Sequence, residues 1–160
     1  MGKRRQKKGT FAKVILIMAF LFMIAGANVA NAGNMGQSAF FSAYSNYLQG
    51  FSQYYSALAL LASSNSYQYT ALLFMDDAFY AADGATYYAS FYTNNLGYNA
   101  FLWSLDAWDL FDAADYFAYL AWYYGNPTYT LYALFYGGLA SAHATVAEYY
   151  AAIASVGGIY

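Results

Sequence analysis

The chain has 160 residues, six Lys or Arg, eight Asp or Glu and no cysteine, for a formal charge of −2. Disulfide and thiolate chemistry are therefore excluded. All six basic residues (Lys3, Arg4, Arg5, Lys7, Lys8 and Lys13) come before residue 14, so nothing downstream offers the cations that phosphate binding needs.

The first 32 residues have the three parts of a secretory signal peptide in order. The basic residues form the n-region, Val14 to Ala25 is an apolar h-region, and Ala30-Asn31-Ala32 has the small-x-small pattern of a cleavage site. Cleavage after Ala32 is expected, which makes the remainder a secreted, extracytoplasmic chain. Val14 to Ala32 is also long enough to span a bilayer if it is retained as an anchor. Arg4-Arg5 is followed by Gln6, Lys7 and Lys8, without the apolar residue of a twin-arginine signal.

Beyond residue 32 the eight acids (Asp76, Asp77, Asp83, Asp106, Asp109, Asp112, Asp115 and Glu148) stand without Lys or Arg, a formal charge of −8. Nucleic acid is excluded as a partner, and an anionic membrane surface is disfavoured for the same reason. The same segment holds all 21 Tyr and all three Trp. So many aromatics argue for a folded chain, and residues 33–160 suffice for a single domain with a sizeable core.

In chain order, Ser38 is a candidate N-cap for a first helix over about 38–62. Phe40, Tyr44, Tyr47, Phe51, Tyr54, Leu58 and Leu61 step by four and three, which puts them on one helical face as the expected seam. Ser63 to Ser66 reads as a turn. A second helix, about 67–93, carries Leu72, Met75, Phe79, Ala82, Thr86, Ala89 and Thr93 in the same register, through Gly84. Asn94 to Gly97 should end it. A third helix, about 98–124, has Trp103, Ala107, Leu110, Ala114, Phe117, Ala121 and Tyr124 on one face and four Asp on the other. Gly125-Asn126-Pro127 supplies a helix stop, an N-cap and a first helical residue. The fourth helix, about 127–154, shows Leu131, Phe135, Gly138, Ala142, Thr145, Tyr149 and Ala152. Beside them runs a second row from Tyr132 through His143 to Ile153. Gly137-Gly138 should mark close approach to a neighbouring helix.

Four long helices of similar length joined by short loops predict an all-α, up-down-up-down antiparallel four-helix bundle. A bundle embedded in the membrane is the alternative, against which stands the cost of four Asp in the third helix, about 2.5–3.5 kcal/mol each.

Catalytic and cofactor chemistry has few candidate residues. A di-iron carboxylate centre needs several Glu and two His, whereas His143 and Glu148 are the only ones here. Covalent haem attachment lacks its Cys-x-x-Cys-His motif. No enzyme activity and no resident cofactor are expected, and His143 reads as structural. Asp106, Asp109, Asp112 and Asp115 read as a solvated face, with a weak oxygen-ligand site for Ca²⁺ as the functional alternative. Crowding of these acids should raise their pKa values. With no Lys or Arg present, Tyr hydroxyls are left as the donors to carboxylates. Tyr116, Tyr119, Tyr123 and Phe101 lie off the seam and are the expected interface. The function expected is a structural or interaction protein that self-associates, or docks to a cell-envelope partner, through aromatic faces. A binding module for a divalent cation or a small apolar or carbohydrate ligand is the alternative.

Overall fold

A computed structural model describes residues 33–157. The expected signal segment lies outside the described residues. The chain is all-α: α1 (Gly33–Ala62), α2 (Asn65–Ala89), α3 (Asn95–Tyr124) and α4 (Pro127–Gly157). There is no strand among the described residues. Each helix touches the next, and α4 closes on α1, while the diagonal pair α2 and α4 barely meet.

The helix ends follow local chemistry. Ser63 takes a left-handed φ of 48° between α1 and α2. Asn94 caps the start of α3, its side chain accepting from the Gly97 N–H at 2.9 Å. Asn94 to Gly97 therefore begins the third helix instead of ending the second. Gly125 (φ 63°) closes α3, and the Asn126 side chain accepts from the Thr128 N–H at 2.9 Å. Ser38 is not a cap. It sits inside α1, and its hydroxyl donates to the Ala85 carbonyl of α2 at 2.9 Å.

The core is built from small side chains. In α1 the buried row is Ser38, Ser42, Ser45, Gln49, Ser52 and Ser56, and in α4 it is Thr130, Ala133, Ala140, Ala144, Ala147, Ala151 and Ala154. These rows step mostly by three and four, as a helix seam must. The larger rows expected to be seams in α1 and α4 instead point outward: Tyr47 is 62% exposed and Phe135 60%. In α2 and α3 the expected rows are half right. Met75, Ala82, Ala89, Ala107, Ala114 and Ala121 are buried, whereas Trp103, Leu110 and Phe117 flank the core and Tyr124 is exposed. Phe111 and Met75 are the only large apolar side chains fully enclosed among the described residues.

Small residues let backbones approach, and several buried hydroxyls then donate to main-chain carbonyls, although Ser42 and Thr130 do not. Ser52 donates to Ala71 O at 2.9 Å, and Thr86 to Ser104 O at 3.0 Å. Between α1 and α4, Ser141 donates to Asn46, which in turn donates to Thr145. These interhelical bonds use Ser, Thr and Asn. At Gly137 the α1–α4 approach is so close that a Cβ would overlap the Gln49 amide. Helix α4 runs unbroken through Gly137-Gly138, and α2 through Gly84, where an added Cβ would meet the Phe41 ring at 3.1 Å.

Candidate functional site

The Asp row of α3 does not act as one group. Asp106, Asp109 and Asp112 are exposed, while Asp115 is half-buried. Asp106 turns toward α4, where its Oδ2 lies 3.8 Å from His143 Nδ1. Asp112 and Asp115 turn toward α2 and, with Asp76, line a cleft of about 400 Å³ whose remaining walls are Leu72, Leu73, Tyr116 and Tyr119. Asp76 was not singled out by spacing, because its partners lie on another helix. No group of three His, Asp or Glu among the described residues is arranged to hold a metal ion.

Inside the cleft, Asp115 is pushed up from 3.8 to about 6, first by burial and then by the charges of Asp76 and Asp112. Desolvation therefore outweighs the crowding that the sequence suggested, and one crowding partner comes from across the groove. Burial also raises Glu148 in α4. His143 is half-buried, edge-on to Trp103 with ring centroids 4.9 Å apart. It is held between that indole and Asp106.

Exposed aromatic residues occur on all four helices. On α3, Tyr116, Tyr119 and Tyr123 are exposed, and Tyr119 stacks on Tyr123 at 5.8 Å. Phe101, expected beside them, is half-buried against Tyr92 at 5.8 Å. On α1, rings follow one another from Phe40 through Tyr44 and Tyr47 to Phe51 at spacings of 6.1, 6.4 and 5.0 Å. The run crosses to Phe74 of α2 at 5.0 Å and returns to Tyr55 at 5.7 Å. Sequence spacing found these α1 residues but placed them inside.

The features that define this chain are thus an all-α scaffold with a small-residue interior and aromatic residues on its surface. No protein-family model matches it, and no curated protein or solved structure is significantly similar to it.

Proposed function

We propose that the chain is an exported, acidic, tyrosine-rich structural protein, an up-down-up-down antiparallel four-helix bundle that associates through its aromatic faces. The partner is another copy or a component of the cell envelope. One observation carries this reading: the interior is closed by Ala and Ser, yet large aromatic and aliphatic side chains remain outside on every helix. Exposed apolar surface of that extent marks interaction sites in folded proteins. The antiparallel arrangement is supported by side-chain contacts, since Ser38 meets Ala85 while Ser52 meets Ala71. No catalytic role is assigned.

A second reading, a binding module, is favoured by the cleft. Three carboxylates beside two Tyr and two Leu suit a small ligand with a cationic end and an apolar body. Membrane embedding is the third reading, although no described helix is long and apolar enough to cross a membrane. Light scattering on the purified protein, with and without detergent, separates the three. A discrete oligomer in buffer supports the structural reading, a monomer favours the binding module, and solubility only in detergent favours the membrane.

A further inference from the structure

Helices α1 and α4 each carry two rows at helical-seam spacing, and the fold uses only one of them. The small rows close the interior. The large rows, represented by Tyr47 and Tyr54 on α1 and by Leu131, Phe135 and Tyr149 on α4, are left outside. Apolar residues recurring at steps of three and four along a long helix fit the surface of another helix.

The two outer rows lie on neighbouring helices, the α1 row also running on to Phe74 of α2. Asn46 touches Ser141 and Thr145, and a Cβ on Gly138 would lie 4.0 Å from Gln53. At about 100° per residue, Ala43, Gly50 and Ala57 lie on this same flank of α1, outside that line of contact. A Cβ on Gly50 would meet nothing within 4 Å. Small residues therefore run beside the α1–α4 contact, and Tyr54 and Phe135, 59% and 60% exposed, stand out from the two helices. The contact between Asn46 and α4 fixes the two helices relative to each other.

Charge decides what covers this side. Helix α1 has no charged residue, and α4 has only Glu148 besides His143, which faces α3. The other seven carboxylates are on α2 and α3. Two copies meeting through the Tyr116, Tyr119 and Tyr123 surface would bring Asp109, Asp112 and Asp115 together with no Lys or Arg in residues 33–160 to offset them. Meeting through α1 and α4 keeps those charges apart. A basic partner would choose the α2–α3 side instead.

We infer that the α1–α4 side is the docking surface for a second copy of this chain, joined about a two-fold axis with Tyr54 and Phe135 of each copy at the contact. This rests on the self-association reading above and names its surface. The area suffices. Helices of 30 and 31 residues give a face about 45 Å long and about 18 Å wide. That is on the order of 800 Å² per copy, the size of a standard stable interface.

The test measures the mass of the full chain by light scattering over a concentration series, with helicity by circular dichroism as the fold control. Tyr54→Glu with Phe135→Glu should raise the dimer dissociation constant at least about 30-fold, the effect of losing one interface hot spot. Tyr54→Ser with Phe135→Ser, a milder pair, should weaken it in the same direction. Tyr119→Ser with Tyr123→Ser, which adds no charge, should leave it unchanged. Loss of the dimer in the α3 pair alone overturns the α1–α4 assignment but keeps self-association. A monomeric wild type overturns both. A monomer that co-sediments with phosphatidylcholine vesicles assigns the face to lipid and overturns the inference.

Discussion

Replacing Gly137 by alanine sets two effects of similar size against each other. Alanine gains about 1 kcal/mol over glycine in a helix interior. At Gly50, where the added methyl meets nothing within 4 Å, that gain should stand and raise the melting temperature by about 4 °C. At Gly137 the methyl would overlap the Gln49 amide, which is 1% exposed and has no solvent to swing into. Overpacking of this kind costs about 1–3 kcal/mol, so Gly137→Ala should fall below Gly50→Ala by that amount. Gln49 has a second liability, because neither its Oε1 nor its Nε2 has a hydrogen-bond partner. Buried groups left unpaired cost about 1–3 kcal/mol each. Gln49→Ala removes the orphaned amide and opens the space that an alanine at 137 would fill, so the two substitutions should be strongly non-additive. Urea unfolding followed by circular dichroism measures all four species. If Gly137→Ala stabilises as much as Gly50→Ala, or if its effect simply adds to that of Gln49→Ala, the close α1–α4 approach is wrong.

Phe111→Ala should cost about 3–5 kcal/mol, since Phe111 is the largest side chain fully enclosed, while Leu61→Ala, at a site 85% exposed, should stay within about 0.5 kcal/mol. The pH profile follows from Asp115, whose folded value of about 6 lies above 3.8. The folded chain holds that proton more tightly, so the stabilisation is complete below 3.8 and is lost as pH rises to about 6, with Glu148 contributing in the same direction. Asp115→Asn should recover about 1–2 kcal/mol at neutral pH, after allowance for solvent screening, and flatten the profile; a wild-type melting temperature that climbs through this window contradicts the sign. Matched ionic strengths of NaCl and CaCl₂ should raise that temperature equally, because Asp106, Asp109, Asp112 and Asp115 do not converge. An excess with Ca²⁺ would establish a cation site.

The number of helices, their short connections and the Gly125-Asn126-Pro127 boundary were legible in the sequence because each rests on local chemistry. The identity of the seam was not. On α1, the Phe40–Tyr44–Tyr47–Phe51 row and the Ser38–Ser42–Ser45–Ser52 row have nearly the same period, and a ranking by hydrophobicity selects the larger one. That ranking fails where helices approach closely, because a buried Ser can donate to a neighbouring carbonyl, as Ser38 does to Ala85. Gly137 was the one visible hint of such closeness, and its partner Gln49 could not be named from spacing. The cleft was missed for a related reason. Three-residue steps linked Asp112 and Asp115 to Asp106 on the same helix, whereas packing links them to Asp76 across α2.

On the proposed reading, copies of this chain join through an uncharged aromatic face while their carboxylates repel. Sedimentation equilibrium of the full chain at about 0.1 M and 1 M NaCl tests it most directly, because salt screens the repulsion without weakening apolar contact. A discrete oligomer is expected at low salt, with a dissociation constant unchanged or smaller at high salt. A monomer at both salts, or an oligomer that dissociates as salt is added, would contradict it.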